Sequence, residues 1–469
     1  MAQEATEVLY QKRIPIYPRS VKGTFRNLKY GILILAYSVY YLLPWVRWER
    51  LNAPNQAVLF DIPGRHFYIF GLVMEVQDVI WIGGLLVIAA MLLFFVTGIV
   101  GRVFCGYFCF QTLWTDVFIL IERLLQGERP ARLRLALAPW SGEKLLKRGA
   151  TYGLWLLVAL LTGLTFTLYW GNALELSVAI ARGEAPFPAY ATTLFLTATT
   201  FVMAGLAREQ VCTYMCPYAR FQSAMFDRDT LIIAYDEHRG EGSRGRHKIG
   251  RGYKTRAERR DAGMGDCIDC GYCVQVCPTG IDIRNGLQLQ CISCALCIDA
   301  CNTLMDSLHW PRGLIKYTSD NARNGHPTHI IKPKTIGYGI ILIAAMATLS
   351  WSIAHQLAYN AAVEQVRQPL FVTLSDGRIQ NLYEIKLNNR VTRSITVRIS
   401  LEDLPGGELD LGGLELVTLD PQQQLRVLAK VRLSPGTLKG QQPFAFVITP
   451  VAGVQAEPVH RSSVFYLPE

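Results

Sequence analysis

The chain runs to 469 residues, 51% of them hydrophobic and 18% charged, with a formal charge of +10 and a mean hydropathy of +0.20. So apolar a chain can bury enough surface to offset the entropy of ordering, which excludes intrinsic disorder, and its apolar residues lie in long runs, which excludes an ordinary soluble protein. The basic excess leaves two readings, a nucleic-acid surface or a membrane protein with basic cytoplasmic loops, and the placement of the charge decides between them.

Residues 1–27 are polar and lack the short apolar core and cleavage site of a signal peptide, so they are expected to be a cytoplasmic tail. Five runs are long and apolar enough to cross a bilayer: 28–46, 79–100, 152–170, 191–207 and 335–354. Six Lys/Arg face two acids in residues 1–29, eight face four in 101–149 and eighteen face fourteen in 208–334, whereas 47–78 and 171–190 are poor in basic residues. Basic loops stay inside. The N-terminus and the segments from 101 and from 208 are therefore predicted to be cytoplasmic, and five crossings put residues 360–469 outside.

Between the second and fifth runs lies the chemistry. All 12 cysteines fall between Cys105 and Cys301, a distribution that suits metal ligation in a reducing compartment better than a disulfide framework. Span two ends in Arg102-Val-Phe-Cys105-Gly-Tyr-Phe-Cys109 and span four in Arg208-Glu-Gln-Val-Cys212-Thr-Tyr-Met-Cys216-Pro217. Both contain C-x-Y-x-C, which reads as a diverged internal repeat. Positions i and i+4 share a helical face, so two such turns could gather four sulfurs, with Arg102 and Arg208 favouring thiolates. Thiolates select soft metals such as Cu(I). A copper site, a redox-active dithiol and inert interfacial cysteines all remain open at this point. Met203, Met215 and Met225 could add thioethers or simply fill space.

Residues 239–260 carry Arg239, Arg244, Arg246, Lys248, Arg251, Lys254, Arg256, Arg259 and Arg260. They read as a loop beside anionic lipid or a docking face for an acidic electron donor. With almost no interleaved aromatics, they do not read as a nucleic-acid surface. There follows Cys267-x2-Cys270-x2-Cys273-x3-Cys277-Pro278, then Cys291-x2-Cys294-x2-Cys297-x3-Cys301-Asn302. In two-cluster ferredoxins each C-x2-C-x2-C loop supplies three thiolates and the fourth cysteine ligates the other cluster. Cys267, Cys270, Cys273 and Cys301 are thus expected at one 4Fe-4S cluster, and Cys291, Cys294, Cys297 and Cys277 at a second. Structural zinc would not call for this doubled register. His326 and His329 read as a loop pair, and His460 as a surface residue.

After the fifth run the pattern changes to short alternating strands, among them Tyr383-Glu-Ile-Lys-Leu, Ser394-Ile-Thr-Val-Arg-Ile-Ser, Leu425-Arg-Val-Leu-Ala-Lys-Val and Phe444-Ala-Phe-Val-Ile, punctuated by turns such as Asp376-Gly377. The expected fold is a multidomain membrane protein. An α-helical transmembrane bundle of about five spans (28–225 and 335–354) carries a two-cluster ferredoxin-like α+β insert at 226–334, and a C-terminal all-β Ig-like sandwich follows at 360–469. The chain has no C-x-x-C-H, no P-loop and no G-x-G-x-x-G after a strand, so nothing predicts covalent haem, nucleotide hydrolysis or a bound dinucleotide.

The order of cysteine pair, second cysteine pair, two-cluster ferredoxin, last span and a sandwich containing Asn381-Leu-Tyr-Glu-Ile-Lys-Leu-Asn-Asn resembles the CcoG family, also called FixG or RdxA, accessory proteins for assembly of cbb3-type cytochrome c oxidase in bacteria. The resemblance covers nearly the whole chain. It implies an inner-membrane cupric reductase that converts Cu(II) to Cu(I), with two C-x3-C-P motifs handling copper, at Cys105, Cys109, Cys212 and Cys216 here. Phe110 stands where the first motif has proline. The partners it implies are a cytoplasmic electron donor, a copper transporter or chaperone, and the oxidase subunits or their assembly factors. A quinol-linked electron conduit and a copper-binding chaperone without turnover are the alternatives.

Overall fold

In this computed structural model the described residues are 15–50, 54–75, 78–249, 253, 255–355, 358–391, 393–421, 423–434, 436 and 440–468. Most of the N-terminal tail, together with Arg251 and Lys254 of the basic stretch, therefore lies outside them. The chain divides into two compact units, Met1–Trp45 with Gln77–Ala347 and Val46–Val76 with Thr348–Glu469.

The first unit is a helical bundle carrying the ferredoxin fold. Its long helices are α1 (Thr24–Leu42), α2 (Val79–Val100), α3 (Phe110–Gln126), α4 (Gly142–Leu168) and α5 (Phe187–Thr200), the last continued by π-helical turns over Phe201–Ala207. Further on come α6 (Leu296–Ser307) and α7 (Pro333–Ala354). Helices α4 and α5 form an antiparallel hairpin closed by small residues. A Cβ on Gly163 would come within 2.4 Å of the Thr193 carbonyl oxygen, and the Thr167 and Thr193 hydroxyls lie 2.8 Å apart. In an apolar bundle, association rests on such close approach and on hydroxyl bridges.

Among the described residues five stretches are long and apolar enough to cross a membrane: Val79–Val100, Val103–Gln126, Gly142–Leu168, Phe187–Ala207 and Pro333–Ala354. Their number is the expected one, but the set differs, because α1 is replaced by the stretch containing α3. The contacts explain the exchange. Helix α1 falls short on hydropathy because Arg26 and Lys29 stand in its first turns, yet both are buried on Asp116 of α3, at 3.1 and 3.2 Å. It runs from the ferredoxin fold, where Asp299 accepts from the Arg26 amide at 2.8 Å, to the far end of the hairpin, where the Tyr40 hydroxyl donates to the Thr162 carbonyl at 2.7 Å. Helix α3 is bonded along the hairpin, with Trp114 donating to the Thr162 hydroxyl at 2.8 Å. Gln111 donates to the Met203 carbonyl at 2.8 Å, and Gln126 to the Thr151 hydroxyl at 2.8 Å. Glu122 takes both Arg132 and Arg208.

The ferredoxin fold is a two-stranded antiparallel ribbon, β4 (Ile232–Tyr235) on β5 (Ile315–Thr318), laid over two ligand loops and α6. The second unit holds a three-stranded meander, β1 (Val58–Asp61), β2 (His66–Ile69) and β3 (Leu72–Glu75), which the sequence reading did not anticipate, and a β-sandwich. One sheet runs β10 (Glu408–Asp410), β12 (Gln424–Leu433), β8 (Ile379–Asn389) and β6 (Tyr359–Gln365), with β7 (Val372–Thr373) on β8. The other runs β11 (Val417–Leu419), β9 (Ile395–Glu402), β13 (Gln441–Ala452) and β14 (Val459–Tyr466). Inward residues alternate along each strand, and Tyr383, Ile385, Phe444, Phe446 and Phe465 close the core. The strands read from sequence all form, and His460 stands at the surface beside Glu402, at 2.8 Å.

Candidate iron-sulfur and membrane cysteine sites

The two ligand loops are conformational copies. In Cys267-Ile-Asp269-Cys270-Gly271-Tyr-Cys273 the residues Asp269 and Gly271 have φ of +47° and +65°, and in Cys291-Ile-Ser293-Cys294-Ala295-Leu-Cys297 the matching Ser293 and Ala295 have +53° and +60°. Non-glycine residues held left-handed cost free energy, which Asp269, Ser293 and Ala295 bear and Gly271 avoids, and the same two left-handed positions in each loop curl three thiols to one side. A short helix, Tyr272–Val276, follows the first loop and α6 follows the second. They bring Cys277 and Cys301 back across the fold.

Two cavities result. One, of about 360 Å³, is lined by Cys267, Cys270, Cys273 and Cys301. The other, of about 350 Å³, is lined by Cys277, Cys291, Cys294 and Cys297, with Cys273 at its edge. The linings put Cys301 with the first loop and Cys277 with the second, and Cys273 borders both. Strand β4 closes both, with Ile233 on the second and Tyr235 on the first, as side-chain alternation requires.

Burial pushes the thiols of Cys273, Cys291 and Cys301 up to about 12. Four such thiols around an apolar space ionise only when a cationic group compensates them. The residues therefore fit a thiolate-bound 4Fe-4S cluster in each cavity. Asn302, where the first run has Pro278, accepts from the Gly313 amide at 3.1 Å and so anchors the chain after Cys301.

Part of the basic stretch serves this fold from within. Arg239 and Arg256 both hold Asp266, at 2.6 and 2.8 Å, and buried Arg259 donates to the Gly265 and Cys267 carbonyls at 3.0 and 3.2 Å. Arg244, Lys248 and Arg260 remain exposed.

The second constellation lies against the second cavity. Gly101 (φ +56°, ψ −126°) and Arg208 (φ +46°, ψ −112°) kink the chain four residues before Cys105 and Cys212, which establishes the internal repeat and its register. Cys109 and Cys216 each cap the next helix in extended conformation, with Phe110 and Pro217 at the first helical position. A proline is tolerated there because that amide needs no partner, so Phe110 leaves the turn unchanged and packs in a tilted pair with Trp114, ring centroids 4.9 Å apart. Cys105 lies within electrostatic reach of Cys109, Cys212 and Cys216.

The site adjoins the ferredoxin loop directly. A Cβ on Gly106 would meet the Ile292 carbonyl oxygen at 2.7 Å and the Cys294 Cα at 2.9 Å, and the Tyr107 hydroxyl donates to the Cys294 carbonyl at 3.1 Å. A further cavity, of about 330 Å³, joins Cys212 to Pro278 and Thr279 beside the second cluster cavity, and Lys29, Asp116 and Arg208 line it.

Arg102 acts in the direction the sequence reading expects but is outweighed by burial, and Arg208 is engaged elsewhere. Arg102 donates to the Leu289 and Ala219 carbonyls, and Arg208 is committed to Glu122. Burial prevails over the attraction of Arg102 and pushes the Cys212 thiol up to about 11. Gln222, fully buried, accepts from the Cys105 thiol at 3.2 Å, and no sequence motif marks it. Met215 is exposed, and His326 and His329 lie on an exposed loop. Among the described residues no three His, Cys, Asp or Glu side chains close on a single-ion position.

Comparison with known proteins gives three family matches: a 4Fe-4S dicluster domain over residues 207–320, a 4Fe-4S binding domain over residues 82–127, and an IG-like fold at the C-terminus of FixG, described among the oxidoreductases, over residues 349–468. Protein RdxA of Cereibacter sphaeroides is 39% identical over 454 residues, 95% of this chain and 94% of its own. Nitrogen fixation protein FixG of Rhizobium meliloti is 40% identical over 86% of this chain and 82% of its own. Protein RdxB of Cereibacter sphaeroides is 42% identical over 88% and 89%. With two crossed thiol cavities, paired membrane cysteines and a terminal sandwich in one chain, and with identity near 40% along almost its whole length, the protein belongs to the FixG/RdxA/RdxB family of iron-sulfur oxidoreductases.

Proposed function

We propose that this protein reduces Cu(II) to Cu(I) at the membrane cysteines, using electrons from the ferredoxin side, for assembly of a cytochrome c oxidase. The observation that carries the reading is the seating of the first cysteine turn on the backbone of the second ligand loop at Gly106, with Cys109, Cys212 and Cys216 within electrostatic reach of Cys105. When bound, the clusters supply one-electron transfer. The eight ferredoxin cysteines hold them in the crossed sets named above. Copper is the substrate: one electron converts Cu(II) to Cu(I), and neutral thiols release protons as they take the ion. Thiolates favour Cu(I) over Cu(II), so capture and reduction reinforce each other.

The protein is placed in a bacterial inner membrane, with the ferredoxin fold cytoplasmic and the sandwich periplasmic. Two observations support this placement. The basic segments flank the ferredoxin fold, and the basic-poor segment 46–76 belongs to the same compact unit as the sandwich. A cytoplasmic donor, a copper carrier and oxidase assembly factors are the implied partners.

A second reading is favoured by one observation: the 4Fe-4S binding domain matched over residues 82–127 contains Cys105 and Cys109, so the four membrane cysteines would hold a further iron-sulfur group. One experiment separates the two. The variant with all four cysteines changed to Ser is purified anaerobically, reduced, freed of reductant and given Cu(II) with a Cu(I) chelator. Copper reduction is expected to vanish while iron content and iron-sulfur EPR signals persist. Undiminished copper reduction sinks the proposal, and a fall in iron content selects the second reading.

A further inference from the structure

Tyrosine hydroxyls crowd the two cluster cavities, and three of them are satisfied by the backbone. Tyr107 donates to the Cys294 carbonyl at 3.1 Å, Tyr317 to the Ser293 carbonyl at 2.6 Å and Tyr272 to the Ser20 carbonyl at 3.2 Å. Tyr235 is different. It is 3% exposed and its hydroxyl has no hydrogen-bond partner among the described residues. The hydroxyl packs over Gly240, where a Cβ would lie only 2.0 Å from it. Strand alternation aims the ring into the first cavity, where the Cys267 thiol stands beside the hydroxyl. A buried O–H without an acceptor is costly and rare in native proteins. The acceptor this one faces is a sulfur.

We propose that the Tyr235 hydroxyl donates a hydrogen bond to the Cys267 sulfur when that sulfur is a cluster ligand, and that this bond holds the reduction potential of the first cluster above that of the second. The proposal rests on the assignment of Cys267 to the first cluster. Reduction adds negative charge that spreads onto the thiolate sulfurs, so a donor stabilises the reduced form more than the oxidised form and raises the potential. At the second cavity the corresponding phenols are committed to carbonyls, and no such preference arises from them. Electrons entering the protein would therefore settle first at the cluster on the Tyr235 side.

The test is an EPR-monitored redox titration of the full chain in detergent, comparing the parent with Tyr235→Phe, with Tyr317→Phe as control. In Tyr235→Phe one of the two cluster signals is expected to shift to lower potential at unchanged iron content, while the other stays in place. Tyr317→Phe shifts neither. Both signals unmoved in Tyr235→Phe overturns the proposal, and so does a loss of iron without a shift in the remaining signal. A measurement on the parent protein needs no variant to fold: after exchange into D2O, the first cluster should show an exchangeable deuteron by ENDOR, and its absence is equally fatal. Cys267→Ser keeps this inference separate from its premise. If that variant perturbs one signal but Tyr235→Phe shifts nothing, only the hydrogen bond is wrong; if Cys267→Ser perturbs neither signal, the ligand assignment fails first.

Discussion

At the scale of single residues, Arg284 shows how the ligand loops are held. Its guanidinium takes Asp282 at 2.7 Å and Asp269, inside the first loop, at 2.6 Å, and the bond from Arg284 holds the Asp282 carboxyl below the usual carboxylate range. A carboxylate with a depressed folded pKa adds stability above its unfolded pKa, near 4, and loses it as pH falls through the lower folded value. Asp282 keeps 24% of its side chain open, so screening limits the pair to about 0.5–1 kcal/mol. Asp282→Asn should lower the melting temperature at pH 7, and the gap from the parent should close as pH approaches 3. Cys212 works in the opposite sense. Its thiol is raised to about 11, so at neutral pH it must lose a proton to bind Cu(I). Chelator competition should show copper affinity rising with pH between 6 and 8, by up to about tenfold per unit for each proton displaced, and Cys212→Ser should flatten that slope.

At the scale of elements, the legible parts are those whose chemistry fixes their spacing. The two-cluster ferredoxin domain could be read from sequence because a cubane needs three thiols from one tight loop, and the sandwich strands because one face of each is buried. What stayed hidden depended on distant partners. Helix α3 reads as a polar loop because Gln111, Asp116, Glu122 and Arg123 interrupt it, yet Asp116 and Glu122 are neutralised by Arg26, Lys29, Arg132 and Arg208, three of which lie far from α3 in sequence. Gln222 and Tyr235 carry no motif because their roles come from what stands opposite them. The β1–β3 meander escaped notice because its strands are only four residues each. The seating of the first cysteine turn on the ferredoxin loop was equally invisible, and Gly106 tests it. With the Ile292 and Cys294 backbone in the way, Gly106→Ala must push the two elements apart. Reduced protein should then pass electrons to Cu(II) at least severalfold more slowly in stopped-flow, with both cluster signals intact. An unchanged rate would show that this contact is not the electron route.

At the scale of the whole molecule, the meeting of the two cysteine pairs constrains topology without reference to charge. Two segments that touch at one end of a bundle are joined by an even number of crossings, and α4 and α5 supply two. The proposed arrangement therefore requires α3, despite its apolarity, to stay on the side of the cysteines. Reporter insertions at Ser141 and at Gly245 should report the same side, and insertions at Pro63 and Gly453 the opposite one. Detection of Ser141 with Gly453 would make α3 a true span and break the arrangement. The unit that joins 46–76 to 348–469 also imposes an order in time. Roughly 270 residues separate its two segments, and at about 5–20 residues per second the meander leaves the ribosome roughly 15–55 s before the sandwich. A meander whose strands are four residues each has too little core of its own to be stable alone, so it waits as an unfinished fragment, its strand edges open, until the last helix and the sandwich are made. Completion of that unit thus reports that the entire chain has been synthesised and threaded, and a protein truncated before residue 348 would carry a lasting mark of incompleteness that quality-control proteases can read.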